Sequence, residues 1–312
     1  MSFSSALAAA AASPQERAAF LFLLLLLYSL VGWCGEMVYC SLGQGRLCEK
    51  RGFLNGPICP IYGHGALLVL LVLDGGCKNP LLTFLLGALL TSALEYLTSF
   101  AMEKLFHMRW WDYSQKPFNL NGRICLRNSA LFGAACVLLC HGAGPALTGA
   151  VGWFFRRGTG VSLAAVLGLL YLADIVLSVR SAIQVGSRLR ALQGVCQELA
   201  QRIEQLKEEQ RQAVEAQRLK LEEAVAAARR NSEEKRSEAA RALQARLEPL
   251  SREFAQRLEA AKSEAQQRIK ALCEKQDIFE RRLVSSFPSM RSTRHGEALE
   301  KLREYLKVKG RR

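Results

Sequence analysis

Four carboxylic acids stand in or beside long apolar runs: Glu36 in GWCGEMVY, Glu95 in LLTSALEYL, Asp112 in RWWDY and Asp174 in YLADIV. An acid at membrane depth is costly and faces a bundle interior, a partner charge or a water-filled cavity. Glu36 lies near the end of the first run and Glu95 in the third, with Thr91, Ser92 and Thr98 close by, so the two could share one layer. Side by side they could share a proton. Arg51, Arg109, Arg123 and Arg127 in the flanking loops are the available counter-charges, because long side chains can reach down while their heads stay near water. Glu36, Glu95, Arg51 and Arg123 are therefore the candidate intramembrane polar cluster. The alternative for the same residues is structural ion pairing that locks the helices together. Asp174 reads as a local pairing beside the basic stretch from Arg180.

The loop FHMRWWDYSQKPFNLNGRICLRN supplies a second candidate, made of Trp110, Trp111, Asp112, Tyr113 and Asn121. Aromatics at a membrane boundary form an interface belt. Here they stand among turn residues, with Asn121-Gly122 as a turn signal, so a ligand or headgroup site and a contact with a partner subunit stay open beside the belt. RGFLNGPICPIYG (51–63) gives tight turns and a fixed start to the next helix. His64 follows it, either as a packing residue or as a proton carrier. Cys136, Cys140 and His141 are three potential ligands and do not close a zinc site. No C-x-x-C, P-loop, H-E-x-x-H, G-x-S-x-G or Rossmann glycine pattern occurs. No catalytic residue, metal or cofactor is expected, and ATP-driven work would need a separate subunit.

These groups must be positioned by unusual elements. The 312 residues are 50% hydrophobic and carry a net charge of +14. The halves differ: residues 1–179 hold 12 Lys and Arg against 8 Asp and Glu, and residues 180–312 hold 30 against 20. Only the first half has runs long enough to cross a bilayer, which takes about 20 residues. A single soluble globule is excluded. The runs are Ala18–Tyr39, about Ile58–Leu73, Leu81–Met102, Asn128–Val151 with HGAGP interrupting it at 141–145, and Gly160–Val179. They predict five crossings, or four with the short second run re-entrant. Arg46, Lys50 and Arg51 in the first loop, five basic residues in the third and Arg180, Arg188 and Arg190 beyond the last run place these segments in the cytoplasm and the N-terminus outside. Arg156 and Arg157 oppose that assignment.

Beyond the membrane domain, Leu189, Leu192, Cys196, Leu199, Ile203 and Leu206 recur at spacings of 3 and 4, the stripe of a coiled coil. The stripe fades and returns, which favours a weak dimer or a hairpin folded on itself, and Pro249 should kink or break the second stretch. Free Cys196 and Cys273 suit a reducing compartment. The expected fold is all-α: a leader (1–17), a polytopic membrane helix bundle (18–180), a cytoplasmic helical and partly coiled-coil tail (185–286) and a flexible basic C-terminus (287–312). Interspersed acids and few aromatics argue against nucleic acid as a partner.

The stretches YSLVGWCGEMVY (28–39), KRGFLNGPICPIYGHGAL (50–67), the run from Asn79 to Ser114 and FNLNGRICLRNSALFG (118–133) resemble the bacterial membrane-protein family called putative ABC-transporter type IV, or ABC transporter permease. The resemblance covers about residues 20–155 and implies the membrane subunit of an importer or exporter, with no substrate implied. The tail lies outside it, and so small a membrane part would need to oligomerise to build a path. Three readings follow. The first is a transporter-type membrane subunit, with an ATPase on a separate chain or as a homo-oligomer. The second is a non-transport scaffold recruiting partners through its tail, and the third an integral-membrane enzyme acting on lipid or headgroup. Membrane lipids surround the bundle in all three.

Overall fold

The structure, a computed structural model, describes residues 3, 7–8, 13–45, 52–73, 77–228, 233–275 and 277–309. They divide into two compact units. One holds Met1–Ser187 with Asp277–Leu299, the other Arg188–Gln276 with Glu300–Arg312.

In the first unit, helix α1 (Pro14–Gln44) opens with a reciprocal cap: Glu16 N donates to Ser13 Oγ and Ser13 N to the Glu16 carboxylate. Helix α2 (Pro60–Leu73) has only 14 residues, about 21 Å of helix and short of the roughly 30 Å hydrocarbon core. Helix α3 (Pro80–Phe106) is capped by Asn79 and ends at His107 with φ 54°. Helix α4 (Leu126–Leu138) passes through a π-turn, Leu139–Ala143, into α5 (Gly144–Arg156). The kink centres on Gly142, within the predicted HGAGP interruption, where Pro145 lacks an amide donor. Helix α6 starts at Gly160 and continues without a break to Ala228.

Four of these are long and apolar enough to cross a membrane, within Pro14–Leu42, Pro80–Phe106, Leu126–Arg156 and the stretch from Gly160. The expected fifth full-length crossing is corrected, since α2 is too short. Cys59 N donates to the carbonyl of Ser29, at the middle of α1. A side chain on Gly63 would strike the Leu25 carbonyl, and Leu70 packs with Phe20, Leu23 and Leu24. Thus α2 begins halfway along α1 and runs back beside its first half, while loop 52–59 fills the other half. Phe20, Val151, Phe155 and Ala164 gather at one end with the buried Phe3. Leu89, Leu97, Leu169 and Leu172 point outward, each more than half exposed, as lipid-facing side chains do.

The other end carries loops 52–59 and 107–125, and the chain returns to it late. Helix α8 (Ile278–Ser286) and strand β4 (Arg291–Ser292) belong to this unit, and β4 pairs antiparallel with β1 (Met108–Arg109). Strands β2 (Asn119–Leu120) and β3 (Ile124–Cys125) form a small hairpin, with Asn121 and Gly122 both at positive φ in its turn. Strand β4 and helix α9 (Gly296–Lys309) fall within the segment 287–312.

In the second unit, the distal part of α6 runs antiparallel to α7 (Glu233–Glu274). Arg268–Glu198 (2.9 Å) and Arg257–Glu209 (3.7 Å) join them, and Arg188 donates to the Leu272 carbonyl. Leu189, Leu192 and Leu206 of the predicted stripe are buried, as are Ala265 and Cys273. Helix α7 passes through Pro249 without breaking.

Candidate functional site

Two acids of the first unit accept hydrogen bonds from residues in or beside its two loops, Glu36 from Cys59 and Tyr62 and Glu95 from Tyr113. Glu36 of α1 accepts from Tyr62 Oη at 3.1 Å and from Cys59 Sγ at 3.8 Å. Gly32, one turn before Glu36, lies against the Tyr62 ring, and any side chain there would displace it. Glu95 of α3 is 5% exposed. Its Oε1 accepts from Tyr113 Oη at 3.3 Å, whereas Oε2 is shut from solvent without a hydrogen-bond partner. Burial, and then the Glu95 charge, push the Tyr113 phenol well above its ordinary value, so it stays a neutral donor.

Of the expected arginine partners, only Arg123 can be placed, and it pairs with neither acid. Arg51 lies outside the described residues. Arg123 pairs with Glu103 at 2.8 Å, donates to Ser99 and lies over the rings of Tyr96 and Phe100. Among the described residues, tyrosine hydroxyls and one thiol are the side-chain donors to Glu36 and Glu95. Sequence reasoning passed over Glu103, which α3 places in its last turn and which also binds Arg109 at 3.2 Å.

The aromatic loop divides its residues among separate tasks. Trp110 is buried, with the rings of Phe53, Phe106 and Phe287 between 5.1 and 5.8 Å away and steeply inclined to it. Trp111 Nε1 donates to the Arg123 carbonyl, and Asn121 Nδ2 to Tyr96 Oη. Asp112 accepts from the Ser114 amide and hydroxyl and pairs with Arg291 at 2.7 Å and Arg109 at 3.9 Å. Burial alone would raise its carboxyl. The Ser114 bonds outweigh that, followed by Arg291 and Arg109, and hold it below the ordinary aspartate value.

Asp174 of α6 is more than a local pairing. Its carboxylate accepts from Asn55 N (2.8 Å), Asn55 Nδ2 (2.9 Å) and Gly56 N (2.8 Å), and so ties the loop to α6. From α8, Arg282 donates to the carbonyls of Phe53 (2.9 Å) and Gly52 (3.4 Å). His141 bonds Thr83 Oγ1 and His64 bonds the Pro60 carbonyl. Among the described residues no group of three His, Cys, Asp or Glu could hold a metal ion.

The sequence model of the family described as putative ABC-transporter type IV matches residues 23–179. The chain belongs to this family. The match extends past the resemblance seen in the sequence to take in Asp174, so Glu36, Cys59, Tyr62, Glu95, Tyr113 and Asp174 all lie within the ABC-transporter type IV region. Arg282 and Arg291 do not. No curated protein and no solved structure matches this chain.

Proposed function

We propose that this chain is the membrane subunit of a transporter, partnered by an ATPase on a separate chain or acting as a homo-oligomer, with its loop end toward the cytoplasm. Membership of the ABC-transporter type IV family makes it a transporter-related membrane protein. The observation that carries the finer reading is the pair of acids, Glu36 and Glu95, beside a loop that enters the bundle to its midpoint. Acids are kept at such depth for a pathway or a partner charge. Lys104, Arg109, Lys116, Arg123 and Arg127 gather near that loop end, as cytoplasmic segments do. The chain has no P-loop, so nucleotide hydrolysis falls to another subunit. The test is affinity purification of the full chain from native membranes. A stoichiometric nucleotide-hydrolysing subunit, or a homo-oligomer enclosing a path, supports the reading; an isolated monomer without either contradicts it.

The second unit favours one further reading, a membrane scaffold. Its helical hairpin lies wholly beyond the family match and presents paired charges along its length. A chain with residues 188–276 exchanged for a flexible linker would lose cytoplasmic partners under the scaffold reading and keep its ATPase under the transporter reading.

A further inference from the structure

The β2–β3 hairpin turns apolar side chains outward where a water-exposed loop would present polar ones. Phe118 is 81% exposed, and Leu120 and Leu126 are each more than half exposed. The backbone is held so that they stay there. Phe118 has φ 51°, a left-handed conformation that side chains other than glycine rarely adopt. Its carbonyl accepts from Leu126 N at 3.1 Å. The Asn119 side chain ties the loop together, donating from Nδ2 to the Lys116 carbonyl (2.8 Å) and accepting at Oδ1 from Gly122 N (2.9 Å). Strain of this kind persists only where its surroundings over-determine it, and it collects at functional segments.

The level of the hairpin follows from its attachment. Leu126 opens a spanning stretch of 31 residues, Leu126–Arg156. At 1.5 Å per residue that is about 46 Å, well beyond the roughly 30 Å hydrocarbon core and close to a whole bilayer with its headgroups. The ends of such a stretch lie in the headgroup layer, and so does a hairpin bonded to its first residue. Leu131 and Leu138, seven residues apart on one face of α4, are also exposed, so the apolar patch continues a lipid-facing row. Two cations flank the patch in sequence. Lys116 and Arg127 are exposed, and among the described residues neither pairs with an acid, whereas Arg109 and Arg123 of the same loop bind Glu103. Arg127 lies 5.8 Å from the centre of the Tyr39 ring, a second exposed aromatic.

We propose that the β2–β3 hairpin is a lipid-surface anchor: Phe118 and Leu120 insert among the lipids at the loop end of the bundle, and Lys116 and Arg127 hold anionic headgroups there. Apolar side chains below unpaired cations match an anionic membrane surface in both polarity and charge. The anchor also fixes the level of Tyr113, whose amide is bonded to the Gly122 carbonyl of the hairpin turn and whose hydroxyl reaches Glu95. The inference goes beyond the transporter reading and needs only the membrane setting of the bundle.

The test places a spin label at Leu120→Cys, with Gln115→Cys of the same loop as the water-exposed reference, in the full chain with its native cysteines replaced. The chain is held in nanodiscs of phosphatidylcholine alone or of phosphatidylcholine with phosphatidylglycerol. Collisions with oxygen, which concentrates among lipid chains, are compared with collisions with a water-soluble nickel chelate. The label at 120 should favour oxygen and the label at 115 nickel. Phe118→Ser should shift the label at 120 toward nickel, lowering the inserted-to-withdrawn ratio about tenfold, the scale of one buried aromatic side chain. Phosphatidylglycerol should favour insertion, and Lys116→Gln and Arg127→Gln should each reduce that gain about fivefold. Equal nickel access at 120 and 115 in both lipids would overturn the proposal, as would insertion indifferent to phosphatidylglycerol. A label at 120 shielded from oxygen and nickel alike would assign the patch to a protein partner and also overturn it. If a variant fails to fold, the unaltered hairpin carrying the label at 120 still decides through its response to the two lipid compositions.

Discussion

Removing the Asp174 carboxylate should release loop 52–59 from the bundle. In Asp174→Ala the amides of Asn55 and Gly56 and the Asn55 side chain lose acceptors at 2.8, 2.8 and 2.9 Å. Hydrogen bonds to a charged group are worth about 1.5–3 kcal/mol each. The site is only partly buried, so taking the low end and allowing for water replacement gives about 3 kcal/mol in all. Cys59, four residues from Asn55 and 5% exposed, reports on the loop. At about 1.4 kcal/mol per tenfold, 3 kcal/mol should raise the labelling rate of a chain whose only cysteine is Cys59 by about 100-fold. Asp174→Asn keeps the oxygen that serves Asn55 and loses the acceptor for Gly56, so its increase should be about tenfold. The assay is maleimide labelling in membranes, with the fold checked by gel filtration. Labelling of Asp174→Ala within threefold of the parent rate would refute the idea that α6 holds the loop.

Two other predictions concern the returning segment. Phe287→Ala removes a ring that meets Trp110 at 5.1 Å; for this half-buried site it should cost about 2 kcal/mol and speed hydrogen exchange across Ile278–Ser292 about 30-fold, without unfolding α1–α5. Asp112 has a depressed folded-state value, so its contribution is present above the unfolded value of about 3.9 and is lost as pH falls through the lower folded value. Hydrogen exchange at β4 should accelerate in that acid window, and Asp112→Asn should flatten the dependence while weakening β4 docking at neutral pH.

Much of the bundle was legible because spanning helices need long apolar runs and breaks in them need Gly or Pro. The runs at α1, α3, α4–α5 and α6 are written that way, as are the Gly142-centred kink and the Asn121-Gly122 turn. The stripe from Leu189 to Leu206 correctly marked a buried face. The depth of loop 52–59 was not legible. Its Gly and Pro residues announce turns, but the Ser29 carbonyl and the Asp174 carboxylate set how far it enters, and neither belongs to a local pattern. The returning segment was hidden for a similar reason. A two-residue strand has no period, and the groups that hold it, Arg282, Phe287 and Arg291, look like ordinary members of a charged tail. Within the site, Glu36 and Glu95 stood out as acids in apolar runs. Their tyrosine partners did not, because an aromatic near a membrane boundary has the commoner explanation of an interface belt.

The sidedness of the bundle tests the account most directly. Lys116→Cys in the aromatic loop, Gln201→Cys in the hairpin and Ser289→Cys in the returning segment each supply an exposed position, and Thr159→Cys supplies one at the opposite end of the bundle. In a chain whose native cysteines are replaced, an impermeant thiol reagent applied to intact cells should label Thr159→Cys alone. The other three should react only after the membrane is opened. Labelling of Gln201→Cys or Lys116→Cys from outside, or Thr159→Cys reacting only with them, would contradict a membrane subunit whose loop end faces the cytoplasm.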